Sequence, residues 1–539
     1  MKLRFLARWL AVAALFLSAA SAHAYVFSFD GIYYNVLSEE DRTVEVSRCR
    51  NFVGLFTCYQ GDVAIPERAI SNGITYTVIS IAKDAFQNCG ALKSVDMSST
   101  FLTSIEDETF FGCSSLTSVD LSSTSLTSIG DEAFSGCDAL TSVAFPASLT
   151  SIGKYAFENC DALTSVDLSS TSLTSIGGGA FMECGALTSV SFPASLTSIG
   201  SFAFYNCGAL TSVDFSSTSL TSIGEYAFSD CDALTSVSFP ASLTSIGNRA
   251  FDDCYALTSV DLSSTSLTSI GEYAFRDCDA LTSVAFPASL MSIGDDAFWD
   301  CGALTSVDLS STSLTSIGGA AFRDCDALTS VALPVSLTSI GNRAFRDCSA
   351  LTNLTVDEGN PAFTSRDNVL YSKNLDTLVC YPTGANKEVV IPETVRSVRE
   401  DAFPGKVNTV YCQPQTPPTA VDGEFQDMFT DETLMNAVLY VPVGTKTAYM
   451  QVDPWRNFWN IEESDFATVG IDGVTAEAAP SVTVCGGKIV VDGASTTGVI
   501  EVFSTDGRCA YRGTSTVIEG LPKGAYVVRI GKFTQKVML

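Results

Sequence analysis

Apolar side chains recur along this chain in one fixed frame, neither the simple alternation of a long strand nor the stripe of a helix. In CDALTSVDLSSTSLTSIG, Cys160 to Gly177, the regularly placed apolar positions are Cys160, Leu163, Val166, Leu168, Leu173 and Ile176, with Thr, Ser and Asp between them. The frame returns at Cys89, Cys113, Cys137, Cys160, Cys184, Cys207, Cys231, Cys254, Cys278, Cys301, Cys325 and Cys348, always 23 or 24 residues apart. A phenylalanine stands three residues before each cysteine, from Phe86 to Phe345. The two lengths mostly alternate, because FPASLTSIG closes one unit and LSSTSLTSIG the next. A period in the twenties predicts a solenoid, in which each coil completes the core of its neighbours.

Within one unit, Leu163, Val166 and Leu168 fit the L-x-x-L-x-L pattern of a leucine-rich repeat strand. Alternation then turns Val166 and Leu168 inward and Asp167 outward, with Thr164 on the solvent side. LTSI reads as a second short strand, and Gly177 as a turn or bulge after it. The xxAFxxC segment is too short for a full helix and is expected as one helical or 3₁₀ turn, packing Ala180, Phe181 and Cys184 inward. The expected fold is therefore a β-rich repeat solenoid of short parallel strands plus helical or 3₁₀ turns, followed by a C-terminal antiparallel β-sandwich.

Equivalent side chains in a stack about 4.8 Å apart point the same way, which leaves their Cβ atoms wider than a disulfide prefers. The twelve regular thiols are thus expected as a buried ladder of small apolar groups rather than a disulfide framework. The ladder runs through Phe86, Cys89, Phe134, Cys137, Phe181, Cys184, Phe228, Cys231, Phe275, Cys278, Phe322 and Cys325 and their counterparts. Cys49 with Cys58, Cys485 with Cys509, and Cys380 with Cys412 are left as pairs either oxidised or free.

The phrase LTSIGxxAFxxCxxLTSVxFP resembles the BspA-like leucine-rich repeats of bacterial surface proteins. YVFSFDGIYYNV near the start, and NVLYSKNLDTLVCYPTG, VVIPETVRSVREDAF and LYVPVGTKTAYMQVDPWRNFWNI later, resemble that family's lead-in and cap. The resemblance implies a secreted or surface-displayed protein that binds host matrix proteins, glycans or other cells without catalysis. VFSTDGRCAYRG and LPKGAYVVRIGKFTQKVML resemble the C-terminal sorting domains of type IX secretion in Bacteroidetes, which implies export and possible attachment at the outer membrane. The ending KVML departs from the usual more basic finish of those domains, and a plain Ig-like spacer is the competing reading. The expected domains are a signal peptide at 1–24, a β lead-in at 25–60, the regular solenoid at 61–353, irregular repeats and cap at 354–466, and the sorting or anchoring β-sandwich at 467–539. The cap contains Trp455, Phe458 and Trp459, which read as packing for the open end of the core and alternatively as a carbohydrate platform.

Charge and chemistry narrow the function. The 539 residues carry 30 Lys and Arg against 60 Asp and Glu, a net charge of −30, which argues against nucleic acid and anionic lipid as partners. Lys2, Arg4 and Arg8, an apolar run and Ala22-His23-Ala24 have the layout of a secretory signal cleaved before Tyr25. No other stretch is long and apolar enough for a transmembrane segment. His23 is the sole histidine, so the expected mature chain has no imidazole for catalysis or metal binding. No nucleophile elbow, phosphate loop or calcium-loop spacing appears. No enzyme activity, cofactor or metal is expected. Asp120, Asp167, Asp214, Asp261 and Asp308 recur every 47 residues and read as a solvated acidic stripe. The candidate ligand-binding residues are Tyr155, Phe202, Tyr226, Tyr273 and Trp299, which vary between otherwise similar coils and form aromatic patches for protein or glycan contact if they project outward. Drift at positions the core does not constrain is the plainer reading of that variation. A surface-coat protein without a specific ligand and an inhibitor or receptor-like module are the alternatives; ordered Thr and Ser rows also permit an ice-binding reading.

Overall fold

The computed structural model describes residues 27–48, 59–98, 101–382, 384, 388–403, 406–421, 428–466, 481–485, 488–492, 500–504, 508–513, 515, 517–530 and 533–538. The expected signal segment, Cys49 and Cys58 lie outside these residues. The chain divides into two compact units, residues 1–440 with 445–462, and residues 441–444 with 463–539.

In the first unit each regular coil contributes two short strands, such as Ser165–Asp167 and Ser175–Ile176. Both pair in register and in parallel with the next coil, Val166 opposite Val190 and Ile176 opposite Ile199. The two-residue strands form one 11-stranded sheet from Ser104–Ile105 to Ser339–Ile340. The longer strands form a second set, nine of them from Ser165–Asp167 to Asn353–Val356. Val166 and Leu168 are buried while Thr164 and Asp167 are exposed, as strand alternation requires. Threonine does more than face water. The Thr188 hydroxyl donates to the Thr164 carbonyl at 2.9 Å and the Thr197 hydroxyl to the Thr174 carbonyl at 2.8 Å, so each row stitches coil to coil.

The interior is a stack of rings beside a column of thiols. Successive phenylalanines from Phe86 to Phe345 lie 4.9–5.8 Å apart with planes within 18° of parallel, the offset geometry that aromatic quadrupoles favour. Phe145, Phe192, Phe239 and Phe286, from the FPAS coils, strike this stack edge-on at 5.8–6.0 Å. The twelve regular cysteines are buried thiols outside any disulfide.

The connecting segment differs from the expected helical or 3₁₀ turn. Its residues form hydrogen-bonded turns with two left-handed positions per coil, for example Tyr155 (φ 54°) and Asn159 (φ 54°). The reason is the stack itself. Tyr155, Phe157 and Asn159 give their N–H groups to Gly178, Ala180 and Met182 of the next coil; a helical turn would consume those donors internally. The glycine after each LTSI also has a different cause from the turn expected of it. A Cβ on Gly177 would stand 2.4 Å from the carbonyl oxygen of Gly153, so close approach of coils, and not a left-handed backbone, demands glycine there.

At residue 353 the regular stack ends. Asn360 is fully buried, donating to the carbonyls of Pro334 and Leu337 and accepting from the N–H groups of Ala362 and Phe363. A hairpin, Phe363–Arg366 with Val369–Ser372, leads into two further sets of parallel strands. In SVREDAF, Arg399 stands where regular coils have the close-approach glycine. Its guanidinium donates to the carbonyls of Ile340 (2.8 Å) and Gly341 (2.9 Å), while the Asp401 carboxylate accepts from the Arg343 N–H. Side chains thus take over the bonds that a next regular coil would make with its backbone. Cys380 and Cys412 are both buried and free. Trp455 and Phe458 are buried and close the cap, Trp455 donating its indole N–H to Pro418 at 2.7 Å, but Trp459 is 76% exposed and stays outside that packing.

The second unit has two antiparallel sheets, one of strands Ser481–Cys485, Lys488–Asp492 and Val517–Ile518, the other of Ile500–Ser504, Cys509–Gly513, Ala525–Ile530 and Phe533–Met538. Val482, Ile489, Val491, Ile500, Val502, Ile518, Tyr526 and Val528 make its core. Cys509 is exposed and free. Among the described residues no helix is long and apolar enough to cross a membrane.

Candidate binding surface

The two flat faces of the solenoid repeat Thr and Ser from coil to coil, so long side chains are left to the turn segments. From residue 101 to 353 every Lys and Arg lies in such a segment: Lys154, Arg249, Arg276, Arg323, Arg343 and Arg346. The left-handed residue after each close-approach glycine forms one column up this edge, including Tyr155, Gly179, Phe202, Tyr226, Arg249 and Tyr273.

The candidate aromatic residues fall into three places. Phe202 and Tyr226 stack at 4.7 Å, Arg249 lies 5.4 Å from the Tyr226 ring centre and 4.3 Å from that of Tyr273, and Arg276 lies 5.8 Å from Tyr273. Phe202, Tyr226 and Tyr273 therefore belong to one continuous pile with Arg249 inside it. Tyr155 is in the same column but leans over Gly179, where a Cβ would come within 2.4 Å of its ring. Trp299 occupies a neighbouring column, where its indole N–H donates to Asp324 at 2.8 Å and Arg323 lies 5.3 Å from its ring. Tyr155 is exposed and the other four are half-buried. The part played by Arg249 was not among the expected aromatic sites; only the coil register reveals that it stacks between the rings of Tyr226 and Tyr273.

Carboxylates flank this edge. Asp252 is buried and held by Arg276 at 2.7 Å, and the same guanidinium reaches Asp253 and Asp277 at 3.0 Å. Burial pushes the Asp252 carboxyl up to about 7 despite Arg276, and that of Asp277 to about 6. Oxygens of Asp252, Asp253 and Asp277 lie within 4.8 Å of one another, but Arg276 bridges all three, so the cluster already holds a cation of the chain itself. The recurring Asp120, Asp167, Asp214, Asp261 and Asp308 have a local role: each accepts from the N–H of the serine two residues on, at 2.9–3.0 Å. Those serine bonds hold the five carboxyls below the usual range. Across the sheet Asp167 faces Ser191 and Asp261 faces Ala285, both uncharged, whereas Asp120 faces Asp96.

A profile of the BspA type leucine rich repeat region matches residues 69–172, 162–268 and 245–376. No curated protein matches the chain. Among solved structures, a leucine-rich repeat protein from Bacteroides ovatus is 29% identical with a TM-score of 0.42, over 62% of this chain and 95% of that one. A leucine rich cell surface protein from Faecalibacterium prausnitzii is 27% identical with a TM-score of 0.41, over 63% of this chain and 96% of that one.

Proposed function

The chain belongs to the BspA-type leucine-rich repeat family, and from that premise we propose that it is a non-catalytic, adhesin-like protein that binds macromolecules outside the cell through its turn edge. One observation carries the reading: from residue 101 to 353 every Lys and Arg, and the Phe202–Tyr226–Arg249–Tyr273 pile, lie on that edge, while the flat faces repeat Thr and Ser beside the regular row of Asp120, Asp167, Asp214, Asp261 and Asp308. Aromatic and arginine side chains are the groups that most often dominate binding energy at protein interfaces. A solenoid sums many weak contacts over a long edge without any deep pocket. The N-terminal layout of a secretory signal supports export, and the sequence of the second unit supports sorting to the outer surface and attachment there.

The test is binding of the purified full chain to an array of extracellular-matrix proteins and glycans. We expect saturable binding to at least one of them. The Tyr226→Ala/Tyr273→Ala double variant is expected to weaken it at least tenfold, about 1.4 kcal/mol. A hit whose affinity is unchanged by that variant removes the aromatic pile from the binding site, and no hit at all removes the binding function.

A further inference from the structure

Resting on the turn edge as the binding surface, the geometry further points to the chemistry of the partner. We propose that the edge around Tyr255 takes lysine or arginine side chains of a cationic polypeptide segment.

The residue after each ladder cysteine forms its own column, in which Asp232, Tyr255 and Asp279 occupy three successive coils. Coil spacing sets neighbours in such a column about 4.8 Å apart, and the Ala280 N–H donates to the Tyr255 carbonyl across one of these steps. Tyr255 is 46% exposed, and its hydroxyl is tied to Asp253 at 2.9 Å, which fixes the ring. Asp232 and Asp279 are exposed. Among the described residues no ion pair reaches either of them, or Asp300 one coil further along the edge. An exposed ring between two uncompensated carboxylates offers a cation both a π face and charge-assisted hydrogen bonds.

The chain already holds one cation in this way. Arg276 lies beside the ring of Tyr273 and bridges Asp252, Asp253 and Asp277. The column at Tyr255 presents the same two kinds of group, a ring and carboxylates; Arg276 reaches Asp253, which also accepts from the Tyr255 hydroxyl, but among the described residues no guanidinium pairs with Asp232 or Asp279 or lies over the Tyr255 ring. Glycan is disfavoured as the occupant of the neighbouring pile, because sugar stacking needs an open ring face and Tyr226 is covered by Phe202 on one side and Arg249 on the other. A second copy of this chain is disfavoured by its net charge of −30. Repulsion among the acids acts in the same direction: Asp232 is raised by burial and by Asp230 and Asp253, and Asp300 by burial and by Asp324.

The experiment measures binding of the full chain to three soluble peptides that differ only in carrying Lys, Gln or Glu at the same positions, interleaved with Gly and Tyr. The Lys peptide is expected to bind, to weaken steeply with added salt, and to lose about tenfold in affinity on Asp232→Asn/Asp279→Asn. Tyr255→Phe is expected to keep binding and Tyr255→Ala to lose it, with unchanged melting curves for all three variants showing that the fold is intact. Equal binding of the Gln or Glu peptide, or undiminished binding by the Asp232→Asn/Asp279→Asn variant, overturns the proposal. The two readings fail separately. Array hits among neutral or acidic proteins without Lys-peptide binding sink the cationic partner alone, whereas no hits of any kind sink the binding function.

Discussion

The thiol of Cys207 donates to the carbonyl oxygen of Phe181 in the preceding coil, and the same bond recurs at 3.0–3.4 Å for every ladder cysteine from Cys113 to Cys348. The cysteine is thus a donor between coils as well as a small buried group, which explains its place beside the stacked phenylalanines. Cys207→Ala should cost about 1–2 kcal/mol, from the emptied volume and the lost bond, read as a lowered midpoint in urea. Burial raises the Cys231 thiol to about 12, so a thiolate-selective reagent should leave the ladder untouched in the native protein and modify it only on unfolding. Titration supplies a second residue-scale prediction. Asp252 binds its proton more tightly folded (about 7) than unfolded (3.8), so its contribution to stability falls as pH rises between those values. The carboxyls of Asp120, Asp167, Asp214, Asp261 and Asp308 are lowered and act oppositely, their contribution being lost as pH falls below the usual carboxylate range. In thermal melts Asp252→Asn should therefore flatten the decline in stability from about pH 4 to about 7 and leave acid unfolding in place; an unchanged pH profile contradicts this assignment.

A coil is stable only as well as it fits its neighbours. A Cβ at Gly224 would lie 2.6 Å from the backbone of Gly200, so Gly224→Ala must push adjacent coils apart and is expected to cost about 2 kcal/mol or more. Gly185→Ala, where nothing lies within 4 Å of the added carbon, should change stability by less than about 0.5 kcal/mol. The coil period, the two strands and the inward Phe and Cys positions were legible because burial repeats in sequence with the same spacing as in space. The turn segment was not. Ala-Phe at the centre of a short polar segment suits a helical turn as well as a chain of tight turns, and the choice was made by hydrogen bonds to a coil 23 or 24 residues away. Arg399 was equally hidden. Only its place in the stack shows that an arginine substitutes for backbone donors at the end of the regular sheet, and Arg399→Met should loosen the coils that follow while leaving the regular ones folded. The grouping of the aromatic residues was half visible. Register puts Phe202, Tyr226 and Tyr273 in one column, but Gly179 and the three-residue offset that separate Tyr155 and Trp299 from them matter only once the coils are stacked.

At the scale of the whole molecule, the solenoid segregates its chemistry. The interior carries rings and thiols, the flat faces carry threonine bonds between coils, and the turn edges carry the aromatic, cationic and uncompensated acidic groups. A chain with a net charge of −30 keeps its copies apart and draws positively charged surfaces toward that edge. The most direct measurement compares two variants for binding to whichever arrayed matrix protein the wild type captures: Tyr226→Ala/Tyr273→Ala on the turn edge, and Ser222→Lys/Ser269→Lys on the flat two-residue strands of the same coils. With melting curves unchanged for both, binding lost at least tenfold only in the edge variant is the predicted result, and binding lost only in the flat-face variant would contradict it.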